Sequence, residues 1–297
     1  MASIKSWLGV ARAPFLLLPF TLVASGAAAA GYAYSVDWQR TLLALVGLVA
    51  LHASVNSLNE ASDLRTGIDY KTHRTPFSGG SGTLPAGLLS ARATFLFGLG
   101  MAGVGLAVGV VLLFEVGMIL LPVMVVGAVA VLAYTDFLAR RGVGEIAAGL
   151  GLGALPVMGT ALVQNGVLPV EGMAAAIPAF FMTFNLLLLN EFPDEEPDRE
   201  GGRKNLVLLL GRRAAALVYA AAALLTPVSI AVAVNAGALP RGCLFALAPS
   251  LLLALPLRWA FTDPKRPVPV PALGANVAWN LLTNVALAIT LALASRA

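Results

Sequence analysis

Residues 40–63 read RTLLALVGLVALHASVNSLNEASD: an apolar run that ends in an amide and two carboxylates. From Thr41 to Leu58 the run holds no Asp, Glu, Lys or Arg. A segment of roughly 18 to 25 apolar residues is long enough to cross the hydrocarbon core of a bilayer. The cluster Asn59-Glu60-Ala61-Ser62-Asp63 therefore stands where such a span meets water. The same arrangement returns later in the chain, where an apolar run over 169–190 ends in Asn190-Glu191-Phe192-Pro193-Asp194.

The composition agrees with a membrane setting. The chain has 297 residues, 59% of them hydrophobic and 11% charged, whereas soluble domains carry about 25% charged residues. There is too little polar material to clothe a soluble protein of this length, so lipid must be the solvent for most of its surface. The single Cys243 excludes an intramolecular disulfide framework. The net charge of +4 is small, and no nucleic-acid partner is expected.

The apolar segments predict an all-α polytopic protein, a single domain over 1–297 with nine spans. These run about 13–34, 40–58, 92–114, 116–136, 144–164, 169–190, 213–235, 241–261 and 272–294. The first run continues through Ala30, too long for a signal-peptide core, and is expected to be retained. Helices follow because no water inside a bilayer can satisfy backbone groups. Two connections are long, about 59–91 and 191–212, and both hold acidic motifs. With the N-terminus in the cytoplasm, only Arg40, Arg241 and Arg296 of the 19 Lys and Arg fall on outside segments. That asymmetry predicts a cell-membrane protein with both motif loops cytoplasmic.

The motifs have a geometry. Asn59 and Asp63 share a helical face if the second span continues through them, and Gly67 lets the chain turn before Asp69. Asn190, Asp194 and Asp198 are spaced by four, but Pro193 and Pro197 predict a kinked or broken helix end. Clustered carboxylates need a counter-charge, and Mg²⁺ is typically held by one or two carboxylates plus phosphate oxygens. Basic residues follow each motif: Arg65, Lys71 and Arg74, then Arg199, Arg203 and Lys204. Acids, metal and bases together make a diphosphate site. A solvated interfacial loop explains one such motif; two matching ones on the same side point to a ligand.

These residues resemble the UbiA-type superfamily of intramembrane prenyltransferases over nearly the whole chain. The stretch NEASDLRTGIDYKTHRTPFSGGSG (59–82) is similar to that family's first motif. DEEPDREGGRKNLVLLLG (194–211) is similar to its second. Within the superfamily the motifs are most similar to the menaquinone-pathway branch, the 1,4-dihydroxy-2-naphthoate prenyltransferases.

The resemblance implies a nine-helix bundle with a central cavity open to the cytoplasmic side. It also implies Mg²⁺-dependent transfer of an isoprenyl group from a prenyl diphosphate to an aromatic acceptor in the membrane. By position, Asp63, Asp69, Asp194 and Asp198 would be the catalytic metal ligands, with Asn59 orienting. Asn190, Lys71, Arg74, Arg203 and Lys204 would hold diphosphate. Glu60 stands where Asp is usual and could reach the metal or a base; Asn205 stands where Thr is usual. Tyr134-Thr135 and Gly142-Val143-Gly144-Glu145 also look like the menaquinone branch, without its usual proline after the Tyr-Thr pair.

Other features keep two readings at this stage. Asn276, Asn280 and Asn284 share one face of the last span and either line the acceptor pocket or bond between helices. His52 is a packing residue or a catalytic one. His73 is solvated or touches phosphate. Ser78-Gly79-Gly80-Ser81-Gly82 is a phosphate cradle, a lid hinge or a plain turn. A terpene cyclase would share the ionisation chemistry. A transporter would place ionisable groups near the midplane, which is almost free of them here.

Overall fold

The computed structural model describes residues 3–294, so Arg296 lies outside the described residues. Among the described residues the chain is helical, without strands. The elements are α1 (Ile4–Val10), α2 (Ala13–Ala33), α3 (Trp38–Thr66), α4 (Ile68–Lys71), α5 (Ala91–Val116) and α6 (Met118–Leu132). After them come α7 (Gly144–Val163), α8 (Val170–Glu191), α9 (Glu195–Glu200), α10 (Leu206–Leu210), α11 (Arg212–Asn235), α12 (Arg241–Thr262) and α13 (Val270–Ala294).

Eight of these helices are long and apolar enough to cross a membrane. The expected fourth span, 116–136, is the exception. Gly117 takes φ 84° and breaks the chain from α5, and the helix stops at Leu132. Over 118–132 an α-helix rises about 22 Å, short of the ~30 Å hydrocarbon core. Tyr134 and Thr135, expected at its end, lie instead in a turn beyond it.

Local signals explain the helix ends that matter. Asp37 caps α3, its carboxylate accepting from the amides of Gln39 and Arg40. The helix then runs past the first motif to Thr66 and ends on Gly67 at φ 82°. The first motif is thus the last turns of a long helix rather than loop. The second motif behaves as its prolines predict. Helix α8 ends at Glu191, the chain turns through Phe192–Asp194, and α9 restarts before Pro197.

Packing brings the motif-bearing helices to one place. Helix α2 packs on α7 and α13, α3 on α5, and α8 on both α7 and α11. Lipid is the solvent for the outer faces: Phe114, Leu251 and Leu293 are each more than four-fifths exposed. Small residues permit close crossings. A Cβ on Gly26 of α2 would lie 2.5 Å from the Val157 carbonyl oxygen and 2.8 Å from the Thr160 Cβ on α7.

Gly26→Leu should therefore force α2 from α7, costing about 2 kcal/mol and lowering the Tm in detergent by about 5 °C. Gly103→Ala, where a Cβ meets nothing within 4 Å, should leave the Tm unchanged or slightly raised.

Candidate active site

The two motifs converge on one cavity. Asn59, Asp63 and Asp69 from the α3–α4 end line it, together with Asn190, Glu191, Asp194 and Asp198 from the α8–α9 end. Arg12, Arg203 and Tyr134 complete the polar lining, and Phe15, Leu18, Val55, Leu186 and Leu187 give apolar walls.

Arg203 ties the motifs together. It donates to Asn59 Oδ1 at 2.7 Å, pairs with Asp63, and places its Nε 3.6 Å from Asp198 Oδ1. Asn59 Nδ2 donates to Asp63 Oδ2 at 2.8 Å, the i,i+4 contact expected from the helix. Burial opposes the Arg203 charge, but Asp63 and Asp198 outweigh it and hold the guanidinium protonated. Asn205 uses both ends of its amide. Nδ2 donates to Asp198 Oδ2 and Oδ1 caps α10 by accepting from the Leu208 amide, each at 2.9 Å. A threonine hydroxyl offers a single oxygen for these two tasks.

Among the aspartates of the site, two carboxylate oxygens have no protein partner. Asp69 Oδ2 and Asp194 Oδ1 are buried and lack a hydrogen bond. Burial, with the neighbouring charges of Glu60 and Asp63, pushes Asp69 up to about 7. Burial and Asp198 push Asp194 up to about 7, against Arg12, Arg203 and a hydrogen bond from the Gly79 backbone. Asp198 is raised to about 6, mainly by burial, against Arg203. Carboxyls held near neutrality in one cavity are poised to exchange protons for a cation. Among the described residues no three His, Cys, Asp or Glu side chains are close enough to hold a metal alone. A hard divalent cation bound here would complete its shell with water and phosphate oxygens.

Glu60 does something else. It is fully buried, its Oε1 accepts from Arg12 Nε at 3.0 Å and the Ser81 amide at 2.7 Å, and its Oε2 accepts from Ser81 Oγ at 2.7 Å. Both oxygens are engaged, so this side chain acts as a clasp. It closes the Ser78–Gly82 segment over the site, which is neither a plain turn nor a free hinge. A Cβ on Gly80, at φ 71°, would sit 2.7 Å from Asp69 Oδ1, so that close approach requires glycine.

Arg12, not among the residues expected at the site, belongs to it. Arg12 adopts φ 51°, the one non-glycine residue at positive φ among those described. Asn56 Nδ2 donates to the Ala11 carbonyl at 2.9 Å and holds this segment on α3. Burial opposes the Arg12 charge, and Glu60 and Asp63 more than restore it. Its only sequence signal is an arginine two residues before Pro14 at the mouth of a span.

Several expected residues are placed elsewhere. Lys71 pairs with Glu200 at the surface. Arg74 donates to the Asp69 carbonyl oxygen at 3.0 Å and does not line the cavity. Lys204 is exposed, with its backbone amide on the Ala139 carbonyl oxygen. His73 is exposed too. Asn276, Asn280 and Asn284 are buried between helices and outside the cavity lining. Asn276 accepts from Tyr219 Oη at 2.9 Å and donates to the Asn185 carbonyl oxygen at 3.2 Å, and Asn284 donates to Asn280 Oδ1 at 2.9 Å. Asn276 thus acts as polar glue between helices, whereas Asn280 and Asn284 bond each other along α13 and leave Asn280 Nδ2 and Asn284 Oδ1 without a partner. Glu145 accepts from the Leu206 amide at 2.6 Å, so it fixes the segment after the second motif.

Known proteins share this architecture. A 1,4-dihydroxy-2-naphthoate octaprenyltransferase from Mycobacterium leprae is 28% identical over 213 residues, 71% of each chain. One from Bacillus subtilis is 24% identical over 221 residues, 69% of this chain and 68% of that protein. A structure of a UbiA homolog from Archaeoglobus fulgidus bound to GPP and Mg²⁺ superposes with a TM-score of 0.69 at 17% identity, covering 97% of this chain and 99% of that one. The apo structure of a UbiA homolog from Aeropyrum pernix K1 superposes with a TM-score of 0.71 at 17% identity, covering 92% and 97%. The UbiA prenyltransferase family model matches residues 17–282. Paired acidic helix ends around one cavity, and a match over most of the chain, make this protein a membrane-embedded enzyme of the UbiA prenyltransferase family.

Proposed function

We propose that the protein transfers an isoprenyl group from a prenyl diphosphate to an aromatic quinone precursor of the 1,4-dihydroxy-2-naphthoate type, with Mg²⁺, inside the membrane. The observation that carries this reading is the convergence of both acidic motifs on one cavity bridged by Arg203. The names of the naphthoate-specific relatives support the acceptor class, and GPP with Mg²⁺ in a structural neighbour supports the donor and metal. The Lys and Arg asymmetry supports a cytoplasmic N-terminus and cytoplasmic motifs in the cell membrane.

Each group has a task in this scheme. Mg²⁺ supplies charge neutralisation to the departing diphosphate when bound. Asp69 and Asp194 offer their unpartnered oxygens to that cation, and Asp63 and Asp198 stand beside them. Asn59 and Asn190 orient the diphosphate end. Arg203 and Arg12 bring positive charge to where negative charge develops on the leaving group, which lowers the ionisation barrier. Lys71, Arg74 and Lys204 act from outside the cavity, steering the anionic donor towards it. The apolar walls from Phe15, Leu18, Leu186 and Leu187 exclude water from the allylic cation.

Asp63→Ala and Asp194→Ala should each lower Mg²⁺-dependent transfer by about 10²–10³, read by mass spectrometry of the prenylated acceptor. Full activity in both variants would sink the assignment. Formation of a hydrocarbon product without acceptor, and no prenylated acceptor, would identify a cyclase.

The raised carboxyls also predict a pH dependence. The folded protein holds protons on Asp69 and Asp194 that the unfolded chain releases near 3.8. Their contribution to stability is complete below that value and is lost as pH rises through about 7. The ligand-free Tm should therefore fall between pH 6 and pH 8, and Mg²⁺ with pyrophosphate should raise it more at pH 8. Equal stabilisation at both values would contradict this.

A further inference from the structure

The polar lining continues below the acids. His52 Nε2 and Thr183 Oγ1 have no hydrogen-bond partner, their residues are 4% and 3% exposed, and both residues line the cavity. Each stands seven residues before the asparagine of its own motif, His52 before Asn59 and Thr183 before Asn190. That is close to two helical turns, so each shares a face with its asparagine about 10 Å beneath it. The internal repeat thus brings one unpartnered polar side chain from each motif helix into the same deep part of the cavity. Glu191, 7% exposed at the level of the motifs, also lines the cavity; its Oε2 accepts from no N–H or hydroxyl of the protein, and its carboxyl lies against that of Glu145, with which it can share one proton.

The occupant follows from what these atoms need. An isoprenyl chain has neither donor nor acceptor, so a cavity filled by it alone would leave His52 Nε2 and Thr183 Oγ1 desolvated and unpaired. The diphosphate belongs two turns higher, with Arg203. A planar ring with oxygens at both ends spans the distance between the floor and the motif level. We propose that His52, Thr183 and Glu191 form the acceptor subsite, which takes a hydroxylated aromatic ring lengthwise. One ring hydroxyl meets His52 Nε2 and Thr183 Oγ1; the hydroxyl at the other end donates to Glu191 Oε2. The ring carbon between them then faces the allylic carbon beneath the diphosphate.

This assignment rests on the transferase reading and replaces the three asparagines of α13 as the acceptor contacts. It also explains why the two motif glutamates differ. Glu60 is engaged in the clasp with Arg12 and Ser81, whereas Glu191 meets no cation or hydroxyl of the protein, only the Glu145 carboxyl, and so can accept from a ligand hydroxyl.

The test is direct binding of 1,4-dihydroxy-2-naphthoate to the purified protein in detergent under anaerobic buffer, with its dimethyl ether as the control. The unmodified protein should bind the diol at least about tenfold tighter than the ether, the effect of one or more buried hydrogen bonds. His52→Leu and Thr183→Val should each weaken diol binding about tenfold, and His52→Gln and Thr183→Ser should recover most of it. The KM for the prenyl diphosphate should stay within about twofold in all four variants, which a general packing defect would not allow. Unchanged diol affinity in Thr183→Val and His52→Leu overturns the proposal, as does a donor KM that rises in step. Should His52→Leu fail to fold, the near-isosteric Thr183→Val decides alone. Diol binding without transfer in the unmodified protein would sink the transferase reading and leave the subsite standing.

Discussion

Everything at the motif end of the bundle depends on burying carboxylates beside too few cations. Asp63, Asp69 and Asp198 are each at most 5% exposed, and a buried charge without a partner is costly. Arg203 meets much of that cost by touching Asn59, Asp63 and Asp198 at once, so it fixes the end of α3 against the segment after α8. Deleting one partner of such a buried pair typically costs about 3–5 kcal/mol. The remaining imbalance is left on Asp69 and Asp194, which makes them the oxygens available to a cation. The site is in this sense built incomplete, and the proposed cation with its diphosphate would finish it.

Lipid sets the other half of the design. Because the outer faces of the helices gain nothing from facing lipid tails rather than each other, close backbone approach and interhelical hydrogen bonds hold the bundle. Gly26 against α7 supplies the first, and Asn276 with Tyr219 and Asn185 supplies the second. Those asparagines looked like a pocket lining in sequence because buried glue and buried recognition use the same residue type. Only the partners decide, and those of Asn276 are in the protein.

The features legible in the sequence were those with a period or a composition. Spans, the paired motifs, the Gly67 turn and the broken end at Pro193 all follow from local rules and stand in the structure. The fourth apolar helix is shorter than expected because apolar length was counted through Tyr134 and Thr135, where the helix has already stopped. The bases were harder. Lys71, Arg74 and Lys204 follow the motifs in sequence but point elsewhere, since adjacency along a turn does not fix the direction of a long side chain. The contacts of Arg12 and Ser81 with Glu60 were invisible for the converse reason: Arg12 lies 48 residues from Glu60 and Ser81 lies 21 away, and nothing local marks either contact.

The internal repeat gives the last step. Duplicating a helix with Asn-Glu-x-x-Asp at its end supplies a symmetric pair of arms, and a diphosphate with its cations is a ligand such arms can grip from two sides. Transfer to a second substrate needs the symmetry broken, since donor and acceptor are chemically unlike. The break is visible at matched positions: Glu60 is spent on Arg12 and Ser81, while Glu191 faces the cavity; His52 on one arm answers Thr183 on the other. In the proposed function the asparagines and aspartates shared by the repeats would serve the donor, and Glu191 with the differing pair His52 and Thr183 would read the acceptor.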